Sequence, residues 1–254
     1  MKTHYMITTL LILTSSFCFG EIRNGYEKGI KDARKSLQSL YTLQLSVGLS
    51  SRERKMVESK IETVTNFISF HELTEYLINQ FRIISPEIFS QVDTIKDGKG
   101  RTTDVYIKFI PQNEATVNAA GISCVAQSEF DDDLCVSEYG EGTISVKVWI
   151  FNRALLALSH EFGHINYLTP NLAVYLNYYR NKYQKKPDAP NCFGHEVDDL
   201  SGKNANSFEK KFKKKLIEYT RTQDERLRTP ISLVQDIRKR IQAERGEMDP
   251  IAAI

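Results

Sequence analysis

The sequence predicts an α+β fold, in which helices flank a central block of strands, because the hydrophobic period changes twice along the chain. Ile30, Ala33, Leu37 and Leu40 recur at helical spacing, and Gly48 offers a stop. Ser50 and Glu53 then have the spacing of a capping box. It opens a longer helix whose apolar stripe runs through Val57, Ile61, Val64 and Ile68 and which ends at Ser85-Pro86. Residues 22 to about 84 therefore read as a helical hairpin. The chain turns at Asp97-Gly98-Lys99-Gly100 and the period falls to two: Val105, Ile107 and Phe109 alternate, as do Ile144, Val146, Val148 and Ile150. Strands are expected within 101–150.

Beyond Asn152, a predicted N-cap, the helical period returns through Leu155, Leu156, Phe162 and Ile165. Thr169-Pro170 reads as an interruption and a fresh helix start. After a loop at 186–190 the remainder reads as charged helix. Its run Glu209-Lys210-Lys211-Phe212-Lys213-Lys214-Lys215 is read as a solvated face, since acidic residues return at Glu218, Asp224 and Glu225. No internal repeat is present. The predicted organisation is a leader over 1–20, an N-terminal helical region over 21–96 and a second domain over 97–254 with a helical C-terminal extension.

With 254 residues and 41% hydrophobic content, the chain is long and apolar enough to bury a sizeable core, which excludes disorder and a disulfide-only scaffold. The 34 Lys+Arg against 32 Asp+Glu leave a net charge of +2, so no overall positive excess exists to hold a nucleic acid backbone. Lys2 and His4 precede an apolar stretch from Met6 to Phe19, and Cys18-Phe19-Gly20 suits signal peptidase. An exported protein, secreted or periplasmic, is expected, with no stable membrane span once the leader is removed. An uncleaved anchor or a lipoprotein linked through Cys18 are the alternatives. Removal leaves Cys124, Cys135 and Cys192; the expected disulfide joins Cys124 to Cys135 across the acidic loop 131–133, which has no calcium-loop spacing.

Within the predicted helix after Asn152 stands His160-Glu161-Phe162-Gly163-His164, the pattern H-E-x-x-H. Residues four apart share one helix face, so both imidazoles can address one Zn2+ ion, with Glu161 beside them as a base. His71-Glu72-Leu73-Thr74-Glu75 begins alike but has glutamate where the second histidine should stand, and it is read as helix surface. Catalytic zinc takes three protein ligands and keeps a position open. Without the leader four histidines remain, and outside the motif and the hairpin there is only His195.

These residues resemble the zincin metallopeptidases, in particular the gluzincin branch, whose downstream helix carries a glutamate ligand and, four residues later, an aspartate that orients the first motif histidine. Aligned on the aspartate, the resemblance implies that Asp199 orients His160 and that His195, rather than a glutamate, is the third ligand. Glu196 is the alternative through a shifted helix, and Asp198 a further candidate. The metzincin branch is excluded because Tyr167 and Pro170 stand where it has glycine and histidine, and Asn166 is polar where zincin helices are mostly apolar. The resemblance covers about residues 100 to 205.

It implies a zincin-like fold, with a small mixed sheet packed on the H-E-x-x-H helix, and zinc-dependent hydrolysis of a peptide or protein substrate. His160, His164 and His195 would hold one Zn2+, and Glu161 would be the general base. An edge strand lining the cleft would come from 117–125 or 143–150. The oxyanion-stabilising group would be one of Tyr167, Tyr175, Tyr178 and Tyr179. The competing reading is an exported helical binding protein whose metal site is structural or inactive. Cys192, three residues before His195, is either a latent thiolate ligand or a packing or intermolecular cysteine.

Overall fold

Strands β1 (Ile22–Asn24), β2 (Val105–Pro111), β3 (Gly121–Cys124) and β4 (Ile144–Ile150) form one sheet in the order β1-β2-β4-β3. The first three in that order run parallel, and β3 closes the edge antiparallel to β4. The computed structural model describes residues 21–111, 121–124, 137–140, 142–150, 153–183, 200–222 and 230–247. The leader, Asn152, the acidic loop, Cys135, Cys192, His195, Glu196, Asp198 and Asp199 lie outside these residues, and so does the side chain of Cys124.

The alternation in β2 and β4 becomes a two-sided register. Val105 faces Ile144, Ile107 faces Val146 and Phe109 faces Val148, and these six side chains are buried on one face. The expected α+β class is thus observed. Helices α1 (Ile30–Gln44) and α2 (Ser51–Ile84) form the predicted hairpin, and the capping box is present: the Ser50 hydroxyl accepts from Glu53 N–H at 3.3 Å while Glu53 Oε2 accepts from Ser50 N–H at 2.9 Å. Helix α3 (Pro86–Asp93) starts with Pro86 in its first turn, where a missing N–H costs nothing.

Residues 22–24 do not belong to the hairpin. They form β1, because the register to β2 buries Ile22 and Asn24 at the sheet edge and Asp93 Oδ1 accepts from Ile22 N–H at 2.9 Å. Three residues are too short for a period to be legible.

Helix α4 (Ala154–Tyr183) runs through Pro170 without the expected break. The ring of Pro170 faces solvent, Leu168 and Thr169 just before it are buried, and Asn171 Nδ2 donates to Tyr167 O at 2.8 Å. Proline removes one helical hydrogen bond at Asn166 O, and packing of the preceding turn outweighs that loss. Helices α5 (Leu200–Thr222) and α6 (Pro230–Glu247) follow.

The core between sheet and helices is joined by Phe81 of α2. Its ring stacks on Phe212 of α5 at a centroid distance of 4.3 Å and meets Phe162 of α4 edge-on at 4.9 Å. All three are essentially without exposure. Phe162 lies one residue after Glu161, so this cluster fixes the rotation of the motif helix. The decoy segment in α2 is only partly surface. Leu73 and Thr74 are buried, the Thr74 hydroxyl accepts from Phe109 N–H at 3.3 Å, and Glu72 pairs with Arg34 at 2.8 Å and with Arg240 of α6.

Candidate metal centre

The apolar stripe of α4, with Leu158, Phe162 and Ile165 fully buried, turns His160, Glu161 and His164 toward the region between α5 and β3. The two imidazole centroids lie 5.0 Å apart at an interplanar angle of 74°, the consequence of their four-residue spacing. His164 and Glu161 are buried and His160 is nearly so.

Helix α5 packs antiparallel to α4 and supplies a partner for each ring. Glu209 Oε2 lies 3.1 Å from His160 Nδ1, and Ser201 Oγ lies 2.8 Å from His164 Nδ1. A carboxylate only accepts, so Nδ1 of His160 carries the hydrogen and donates it; Nε2 is then the nitrogen with the lone pair. Ser201 imposes the same geometry on His164 when its oxygen accepts. Metal-binding histidines have this outer hydrogen bond, which fixes tautomer and ring orientation.

The approach of the helices depends on Gly163. A Cβ there would lie 2.4 Å from Ala205 Cα and 2.9 Å from Asn204 O, so a side chain at this position would push the backbones apart. Asn204 Nδ2 also donates to Gly163 O at 2.8 Å and to Asn166 Oδ1 at 3.3 Å. The polar Asn166, a departure from the zincin pattern, is thereby accounted for: it binds the neighbouring helix.

On the other side, β3 passes over Glu161. A Cβ on Gly121 would stand 3.2 Å from Glu161 Cγ and 3.3 Å from Oε1, and Ser123 hydrogen-bonds the carboxyl. Burial pushes the Glu161 carboxyl up from 4.5 to about 7, opposed by the Ser123 hydrogen bond. Since β4 pairs on both sides, the sheet edge beside Glu161 among the described residues is β3; of the expected segment 117–125, residues 121–124 are described.

The structure therefore brings His160, Glu161 and His164 together. The candidates for a third ligand, His195, Glu196 and Asp198, and the expected orienting residue Asp199 lie outside the described residues, as does the Cys124–Cys135 pairing. Among the described residues no group of three or more His, Cys, Asp or Glu is arranged to hold a metal. The orienting groups observed, Glu209 and Ser201, were not singled out by the sequence. Glu209 opens a lysine run that reads as solvent-facing, and only the pairing of α5 with α4 distinguishes it. The side chains of Tyr175, Tyr178 and Tyr179 are outside the described set, while Tyr167 is partly buried against the core. Among the described residues, no helix is long and apolar enough to cross a membrane.

No protein-family model, curated protein or solved structure matches this chain.

Proposed function

We propose that this protein is an exported zinc-dependent peptidase of the zincin type, secreted or periplasmic, with His160 and His164 as metal ligands and Glu161 as general base. The observation that carries the reading is that both motif imidazoles are engaged through Nδ1 by one neighbouring helix, an arrangement that suits Nε2 of each to a metal. The donor set fits zinc: two imidazoles at adjacent turns, with the third ligand assigned to the segment 195–198 that leads into α5. A bound Zn2+ would polarise the scissile carbonyl and acidify the attacking water.

The chain's own residues supply the rest. Glu161 removes a proton from the attacking water and returns it to the leaving amine, the shuttle open to a carboxylate placed beside the two imidazoles. Burial under β3 excludes bulk water from it, and the Ser123 hydrogen bond fixes its rotamer. The side of β3 that does not pair with β4 would offer backbone N–H and C=O groups to an extended peptide, added to a strand already in register with β4. The absent side chain of Gly121 lets β3 itself lie against Glu161.

The test is zinc content of the purified chain together with digestion of a peptide library. One zinc per chain with cleavage that a chelator abolishes is the expected result. Zinc without cleavage would favour a binding protein with a structural metal site, and a chain that takes up no zinc would overturn the proposal.

A further inference from the structure

The hairpin end between α1 and α2 lies far from the candidate centre and is built unlike the remainder of the surface. Leu43, Leu45 and Met56 are exposed at 43%, 53% and 53%, and Val47 is fully exposed at 104%. The connection turns through Gly48, whose φ of 110° favours glycine and whose Cβ position meets nothing within 4 Å among the described residues, so the turn beside Val47 stands clear, while Met56 lines an open hollow with Ser51, Arg52, Lys55 and Ser59. Single exposed apolar residues are ordinary; four on one hairpin end mark a surface meant to be covered.

What surrounds them sets the occupant. Ser51 to Met56, in the first turns of α2, are all exposed and include Arg52, Arg54 and Lys55. The one acidic residue among them, Glu53, has its carboxylate bound to the Ser50 N–H and hydroxyl in the capping box, at 2.9 and 2.6 Å, and its charge is directed into the turn. An apolar point with a basic collar complements a deformable, negatively charged apolar phase: the side chains enter the acyl boundary and the guanidinium and ammonium groups stay with the phosphates. We propose that the α1–α2 hairpin end, through Leu43, Leu45, Val47 and Met56 with Arg52, Arg54 and Lys55, docks the protein on an anionic phospholipid surface.

The geometry keeps that contact apart from the metal centre. From Met56 to Phe81, which touches the motif helix at Phe162, the continuous helix α2 spans about 37 Å at 1.5 Å per residue. Docking at the hairpin end would hold the H-E-x-x-H helix that far along α2 from the lipid. The contact is of the kind a lipid surface makes with an exposed turn, without a spanning helix among the described residues.

The test is flotation of the full chain with vesicles of phosphatidylcholine alone and of phosphatidylcholine with phosphatidylglycerol. Binding to the anionic vesicles, at least tenfold weaker to the neutral ones and weakened by salt, is expected. The pair Leu45→Asp and Val47→Asp should reduce it at least tenfold. A second variant, Arg52→Glu with Lys55→Glu, should remove the preference for anionic lipid. All four positions are exposed, so circular dichroism and zinc content should match the parent. Equal binding by parent and Leu45→Asp/Val47→Asp would overturn the proposal, since any lipid contact would then come from elsewhere in the chain. Concentration-dependent dimers of the parent that this variant abolishes, without vesicle binding, would overturn it in favour of self-association.

Discussion

Glu209 and His160 are 49 positions apart in the chain, and the carboxylate oxygen of one lies 3.1 Å from Nδ1 of the other. The contact arises because α5 returns antiparallel along α4, so that Ser201 meets His164, Asn204 meets Gly163 and Glu209 meets His160 in succession. Removing the carboxylate takes away this hold on the ring and makes its lone pair less basic. Glu209→Ala should therefore weaken zinc binding by about 10- to 100-fold, the usual effect of losing an outer partner of a ligating histidine. Glu209→Gln, whose amide oxygen can still accept, should lose less. Competition against a chromogenic chelator measures both, and an unchanged affinity would show that His160 is oriented by another group.

Gly163 tests whether the approach of the two helices is what arranges the site. In Gly163→Ala the new methyl would stand 2.4 Å from the Ala205 backbone, and backbone cannot rotate away as a side chain can. The helices must separate, which lengthens the Ser201 and Glu209 contacts together. The expected outcome is a variant less stable by about 1–3 kcal/mol that binds zinc more weakly than either Ser201→Ala or Glu209→Ala alone. Thermal unfolding and chelator competition measure the two effects; a variant with parental zinc affinity would show that close packing at this glycine is not needed.

The elements whose pattern repeats were legible in the sequence. The capping box at Ser50 and Glu53, the turn at Asp97 and the alternation of β2 and β4 are local features, and each appears where the spacing puts it. So does the shared face of His160 and His164. Features set by tertiary contact were not legible. Strand β1 exists because β2 offers it an edge, and α4 continues through Pro170 because the turn before it is buried. Glu209 carries no local mark at all: it stands between Phe208 and Lys210 at the head of the lysine run, and its role comes from which residue of α4 lies opposite. Asn166 was visible as an anomaly, and its partner Asn204 was not.

Phe81 offers a check on the core independent of any metal. Its ring is fully buried between Phe162 and Phe212, so Phe81→Ala removes two aromatic contacts and leaves a cavity at the junction of α2, α4 and α5. A loss of about 3–5 kcal/mol is expected from chemical denaturation, enough to unfold many domains of this size at 37 °C. Phe81→Leu, which keeps most of the volume, should lose about half as much or less. Equal effects of the two substitutions would mean that the site collapses around the smaller residue.

Glu161→Gln separates the base from the ligands. It removes no imidazole and keeps the side-chain volume, so zinc should stay bound while hydrolysis falls to background; turnover retained in this variant would end the proposed mechanism. The same substitution has a signature in the metal-free protein. Burial raises the Glu161 carboxyl from 4.5 to about 7, which means that the folded state holds its proton more tightly than the unfolded chain does. The stability associated with that proton is fully present below pH 4.5 and is lost as pH rises through 7. Glutamine carries no ionisable proton and escapes the loss. At pH 8 the metal-free Glu161→Gln chain should therefore be more stable than the parent by up to about 3 kcal/mol, and the difference should vanish toward pH 4. Zinc beside the carboxylate supplies the missing countercharge, so adding it at pH 8 should stabilise the parent more than the variant. A stability difference that is the same at pH 4 and pH 8 would show that the Glu161 carboxyl is not buried as β3 and Ser123 place it.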